Sequence, residues 1–243
     1  MNGMSPQTKR LAVIGVAAAA VIGIAATAFL WFSGGSGQAS APVHAECPEE
    51  VINRNAGATV FRIVPEESEV RFIIHEELFG QPKEVIGRTD QVAGDVLVNV
   101  DNPARAELCG VQINLRTILT DNEFRNRAIR GQILQSAQDE FEFSDFTPTE
   151  ITGLPESITP GEPVSFQITG DLRVRHITNP VTFNVTATLV SDTRLEGTAA
   201  ADVTREQYEL TIPNAPGVAN VTNEVTLEID FVALAVPAEA SQS

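Results

Sequence analysis

The sequence predicts an all-β protein: eight or so antiparallel strands curled into a closed or nearly closed barrel, with one short helix, behind a single transmembrane helix. Three observations predict it. First, residues 164–189 hold two alternating runs, Val164, Phe166, Ile168, Leu172 and Val174, then Val181, Phe183, Val185, Ala187 and Leu189, with polar residues between. Successive strand residues face opposite sides of a sheet, so these runs form a hairpin with one apolar face, which must pack on a second layer or curl around itself. Second, only one segment reads as a helix, so no helical layer is available as cover. Closure also removes exposed strand edges, which favours a barrel over the alternative, a two-sheet sandwich. Third, residues 11–32 form an uninterrupted uncharged run.

In chain order, residues 1–10 end in Lys9 and Arg10 and are expected on the cytoplasmic side. The run 11–32 would extend about 33 Å as a helix at ~1.5 Å per residue, enough to cross a hydrocarbon core. No basic residue follows it until Arg54, so the positive-inside bias places the remainder outside the cell membrane. The alternative is a cleaved signal peptide and a secreted or periplasmic product, but such peptides have apolar cores of only about 7 to 15 residues. Residues 33–58 open with Ser33-Gly34-Gly35-Ser36-Gly37 and read as a flexible linker. Taken as about 25 residues of flexible chain, it would leave the barrel at a typical distance of about 28 Å from the membrane. The two cysteines, Cys47 and Cys109, lie on the side where disulfides persist; they form either a bridge worth about 4 kcal/mol or two independent buried thiols.

The barrel domain is expected over 59–235. Period-two runs mark strands at Phe61 and Ile63, at Val70, Phe72 and Ile74, and at Val96, Val98 and Val100. Others follow at Val111, Ile113 and Leu115, in the hairpin of 164–189, and at Val225, Leu227, Ile229 and Phe231. The helix is expected from Thr120, where Thr120-Asp121-Asn122-Glu123 matches a capping box, through Phe124, Ala128, Ile129 and Ile133. Gly94, Gly170, Ala187, Ala199 and Ala201 are small residues in strand-like runs, leaving either room for a ligand or ordinary large-against-small packing. Residues 236–243 are expected as a disordered tail.

Charge restricts the function. The chain carries 16 basic and 32 acidic side chains, a net charge of −16, and the first 33 residues supply two of the bases and none of the acids. A general pull on nucleic acid is excluded, as is adhesion to an anionic bilayer through the overall field. No enzyme is read from the sequence: His44, His75 and His176 are scattered over linker, strand edge and turn, and no nucleophile elbow or phosphate-binding glycine loop is present. No metal and no cofactor beyond a bound lipid are expected.

The chain resembles the YceI-like domain family over most of 59–234. The resemblance is carried by Ser68-Glu69-Val70-Arg71-Phe72, by Arg116-Thr117-Ile118-Leu119-Thr120-Asp121-Asn122 leading into Phe124-Arg125-Asn126-Arg127-Ala128-Ile129-Arg130, by Gly170-Asp171-Leu172-Arg173-Val174 with Ile177-Thr178-Asn179-Pro180-Val181-Thr182-Phe183, and by Pro216-Gly217-Val218. The chain departs from the family at Arg125-Asn126, where Arg-Asp is usual, in lacking a proline within 139–143, and in the position of His75. The resemblance implies an eight-stranded, lipocalin-like antiparallel β-barrel with an elongated apolar cavity holding a polyisoprenoid or similar long-chain amphiphile. The inward residues of the predicted strands would line it: Phe72, Ile74, Val96, Val98, Ile113, Leu115, Phe166, Ile168, Phe183, Val185, Ala187, Leu227 and Ile229. Arg125 and Arg127, with Arg116 and Arg130 nearby, would either meet an anionic head group or form a solvated face paired with carboxylates such as Glu123. The competing reading is a tethered envelope interaction module with a packed, ligand-free barrel. Its protein partner is left open.

Overall fold

The computed structural model describes residues 34–237. The predicted span 11–32 and most of the predicted tail therefore lie outside the described residues.

Among the described residues eleven strands follow in order: β1 (Thr59–Ile63), β2 (Glu69–Leu78), β3 (Gln81–Thr89), β4 (Val92–Val98), β5 (Glu107–Asn114), β6 (Phe143–Thr152), β7 (Pro163–Val174), β8 (Ile177–Ser191), β9 (Arg194–Thr204), β10 (Val218–Ala219) and β11 (Glu224–Ala235). The order β1-β4-β5-β6-β7-β8-β9-β11 returns to β1 through Phe61↔Ala235 and Ile63↔Ala233, closing an eight-stranded antiparallel barrel. Two of the eight paths are broken. A 3₁₀ turn at Pro65–Glu67 separates β1 from β2, and Asp90 with Gln91 separates β3 from β4. Strand β11 therefore pairs β2 over Thr226↔Ile73 to Asp230↔Glu69 and β1 beyond it.

The β3 half of its path lacks a full partner beyond β2, because β5 ends at Asn114 and only an isolated bridge, Arg88↔Leu119, ties the following segment to β3. That segment carries α2 (Glu123–Ala128), which runs on into a π turn over Ile129–Ile133. The helix starts two residues later than a cap at Thr120 would give. Asn122 is the N-cap, accepting from the Arg125 amide at 3.1 Å. Thr120 is occupied elsewhere: its amide and hydroxyl both donate to Oδ1 of the buried Asn126 at 2.7 Å.

The expected flexible linker is a correction, because residues 34–58 lie against the barrel. Ser40 donates from its amide to Glu142 at 2.8 Å, the His44 amide donates to Gln112 at 3.0 Å, and the Cys47 amide donates to Asp95 at 3.0 Å. Cys47 is bridged to Cys109 on β5. A second short helix, α1 (Glu49–Arg54), follows. Composition suggested flexibility because the partners that order this stretch all belong to the barrel wall. At the other end, Val236 donates to the Val60 carbonyl at 2.8 Å, extending order one residue into the predicted tail.

The barrel is solid at one end. Phe61, Val92, Val98, Ala187, Leu189, Leu195 and Ala233 are buried together there. Toward the opposite end, where the β2–β3 and β7–β8 turns and α2 gather, it is hollow.

Candidate functional site

The hollow end encloses a cavity of about 690 Å³, within the ~300–1,000 Å³ typical of small-ligand sites. Its walls come from inward positions of the strands: Val70, Phe72 and Ile74 of β2, Val111 and Ile113 of β5, Phe146 of β6, Ile168 and Leu172 of β7, Phe183 and Val185 of β8, Ala199 and Val203 of β9, and Val225, Leu227 and Ile229 of β11. Across its middle, Phe146 and Phe183 meet edge to face with ring centroids 5.2 Å apart, a preferred geometry for aromatic pairs. Leu115, Ile118, Phe124, Ala128, Ile129 and Ile133 close it from the α2 side, and Ile212, Pro213 and Pro216 from the loop before β10.

Of the residues expected to line a cavity, Phe72, Ile74, Ile113, Leu115, Ile168, Phe183, Val185, Leu227 and Ile229 border it. Val96, Val98, Phe166 and Ala187 do not; they belong to the packed core toward the solid end. Period-two patterning gives the face of a strand that points inward but not how far along the barrel the void extends. The small residues divide similarly. Ala199 borders the cavity, whereas a Cβ on Gly170 would stand 2.6 Å from the Phe146 ring, and one on Gly94 would stand 2.9 Å from the Gly110 carbonyl oxygen. Those two glycines admit neighbouring protein atoms rather than opening space.

Other lining residues gave no periodic signal. Tyr208 sits in a 3₁₀ turn, Glu206–Tyr208, after β9. It is 2 % exposed, and its hydroxyl has no hydrogen-bond partner among the described residues. Burial alone pushes its phenol up to about 12. Phe79, at the β2–β3 turn, borders the cavity while remaining 78 % exposed, which marks the mouth.

The arginines near α2 are engaged by the protein itself. Arg125 borders the cavity and donates to Glu76 at 2.7 Å and to Asp121 four residues before it. Arg127 does not border the cavity; it pairs with Glu123 at 3.1 Å. Arg130, 1 % exposed, donates to the Gly34 carbonyl at 2.8 Å and to Glu123 at 3.2 Å. Arg116 is held by the Ser136 carbonyl, Asp139 and the buried Glu142. The Glu123 carboxyl is held below the ordinary carboxylate value by the Asn126 hydrogen bond and by the charges of Arg130 and Arg127, against the opposing effect of burial. The arrangement matches the carboxylate-paired alternative more closely than a set of arginines waiting for a head group.

The three histidines remain apart. His44 lies on the outer wall, His75 is exposed on β2 beside Thr222, and the His176 ring lies 6.1 Å from Phe141. Among the described residues no cluster of three His, Cys, Asp or Glu is arranged to hold a metal. The cavity is thus lined mainly by apolar side chains, suited to exclude water from a long apolar molecule, with Glu76, Asn122 and Arg125 near its rim and Arg71, Ser144, Tyr208 and Glu228 also bordering it.

The YceI-like domain family model matches residues 61–233. A search of curated proteins finds no match. Among solved structures, the chain is similar to a polyisoprenoid-binding domain from Saccharophagus degradans implicated in plant cell wall breakdown, with a TM-score of 0.58 and 13 % identity over 73 % of this chain and 99 % of that one. It is also similar to BcnA of Burkholderia cenocepacia, with a TM-score of 0.52 and 15 % identity over 70 % of this chain and 98 % of that one. For the YceI protein of Campylobacter jejuni the TM-score is 0.50 and the identity 11 %, over 62 % of this chain and 85 % of that one. At these identities the likeness concerns the fold.

Proposed function

The chain belongs to the YceI-like domain family, and we propose that its barrel is a non-catalytic lipid-binding module that holds a polyisoprenoid or similar long-chain amphiphile while tethered outside the cell membrane. The observation that carries this reading is the apolar cavity itself, continuous from the rim at Phe79 and Phe124 down to Val70 and Ile168. Each methylene withdrawn from water contributes about 0.8 kcal/mol, so a long chain gains more from such a slot than from any single polar contact. The polyisoprenoid-binding description of the S. degradans domain supports the same ligand class. The alternative of a packed, ligand-free interaction module has no comparable support, because only one end of the barrel is filled.

The tether is supported by the uncharged run 11–32 following Lys9 and Arg10, and an extracytoplasmic location by the Cys47–Cys109 bridge, since disulfides persist in oxidising compartments. The experiment is a competition. The full chain, reconstituted in nanodiscs, is loaded with an environment-sensitive long-chain fluorophore and titrated with a polyisoprenol. Saturable displacement at one site per chain is expected, and a fluorophore signal no greater than that of empty nanodiscs would refute binding.

A further inference from the structure

The strap that leads into the barrel is fixed to α2, the helix that rims the cavity, through residues of α2 and its π turn that do not themselves border the cavity. Gly34 is buried so closely against α2 that a Cβ there would stand 2.6 Å from the Arg127 Cα, and its carbonyl accepts from Arg130 at 2.8 Å. The Gly35 carbonyl accepts from Arg127 at 3.3 Å. Further along, Ser40 is bonded to Glu142 and Cys47 to Cys109, so the strap is held along its length. The uncharged run ends at Phe32, two residues before Gly34. At ~3.3–3.6 Å per residue, two residues of chain can put no more than about 7 Å between the end of that run and Gly34.

The rim is equipped for an apolar partner. Phe79 and Phe124 are the exposed aromatic residues among the described ones, at 78 % and 56 %, and both border the cavity. Phe79 is held outward by the fold: its backbone has φ 51°, its amide donates to the Gly217 carbonyl at 2.7 Å, and its ring occupies the space a Cβ on Gly217 would need. A bulky residue at positive φ is strained, and such strain persists only where surrounding structure enforces it. Beside the rim, Lys83 is paired with Asp121 at 2.7 Å and Arg125 with Glu76 at 2.7 Å, while Glu77 and Glu84 of the same hairpin make no ion pair among the described residues.

We propose that the cavity mouth docks directly on the outer leaflet of the bilayer spanned by residues 11–32, with Phe79 sunk into its interface. The proposal rests on the tethered reading above. A lipid then passes between leaflet and cavity without crossing water. The acidic domain does not contribute attraction to an anionic surface, so docking works on zwitterionic lipid through the apolar rim and the short strap.

The test uses the full chain in phosphatidylcholine vesicles containing acyl-brominated lipid, which quenches indole in the membrane. Trp31 is the one tryptophan of the chain. Its quenching in the wild-type protein reports the tether independently of docking. In a Trp31→Phe background, Phe79→Trp reports the mouth, and Val190→Trp, at an exposed position of the opposite end, reports the far surface. Both positions are exposed, so the fold tolerates the changes. The proposal expects a several-fold loss of fluorescence for Phe79→Trp and none for Val190→Trp. Equal, weak quenching at both positions with Trp31 strongly quenched would overturn docking and leave the tether standing. An unquenched Trp31 would overturn the tether, and docking with it.

Discussion

Arg125 reaches from α2 to donate to the Glu76 carboxylate of β2 at 2.7 Å, and the Glu76 side chain is 7 % exposed. The pair joins the helix to the strand wall at the cavity mouth. Removing one partner of a buried pair strands the other charge. Arg125→Ala is therefore expected to cost about 3 kcal/mol, the low end of the usual range, because the Arg125 side chain is itself 17 % exposed. Urea unfolding of the single variant and of the Arg125→Met, Glu76→Met pair checks this; the pair should recover most of the loss.

The hollow and solid ends of the barrel respond differently to the same bulk. Ala199→Trp projects into the cavity and is expected to abolish lipid binding while leaving the fold intact. Ala187, 9 % exposed in the packed end, has no such room. Ala187→Trp is expected to overpack the core and cost about 1–3 kcal/mol. Lipid occupancy by mass spectrometry and unfolding by denaturant separate the two outcomes.

Much of this was legible in the sequence, and the gaps have physical causes. The hairpin β7–β8 was readable residue by residue because a buried or half-buried face alternates with a more exposed one along most of its length. Strand β6 was missed: Pro148 interrupts its pattern, and the pairing slips at a bulge between Pro148 and Glu150, where a proline is tolerated. Strand β3, Gln81–Thr89, hid for a different reason, since Pro82, Lys83 and Glu84 open it at the exposed mouth. The cavity's face followed from alternation, but its depth did not, so Val96, Val98, Phe166 and Ala187 were placed in it wrongly. Tyr208 and the 212–218 loop come from irregular chain, where no period exists to read.

Tyr208 presents a buried hydroxyl that has no hydrogen-bond partner among the described residues. Deleting an unsatisfied buried polar atom removes a desolvation cost instead of a bond. Tyr208→Phe is expected to leave the unfolding free energy unchanged or raise it by about 1 kcal/mol. A measured loss of stability in the lipid-free protein would show that the hydroxyl has a partner.

Acid should loosen the strap. Burial pushes the Glu142 carboxyl up, but hydrogen bonds from the Ser40 hydroxyl and amide and from Asn114, with the charge of Arg116, outweigh it and hold the group below its ordinary 4.5. A carboxyl lowered in the folded state contributes stability that is complete above its unfolded value and is lost as pH falls through the folded one. Exchange of the Ser40 amide is therefore expected to accelerate, relative to intrinsic rates, as pH falls below the ordinary carboxyl value and through the lowered folded one. Glu142→Gln should flatten that dependence.

The central claim is that the hollow end of the barrel carries a lipid. The most direct measurement is native mass spectrometry of the full chain released from the membranes of the cells that make it, followed by organic extraction. The account predicts one long-chain lipid per chain, set free on denaturation and absent from Ala199→Trp. A protein that stays at its apo mass after incubation with membrane extract would contradict it.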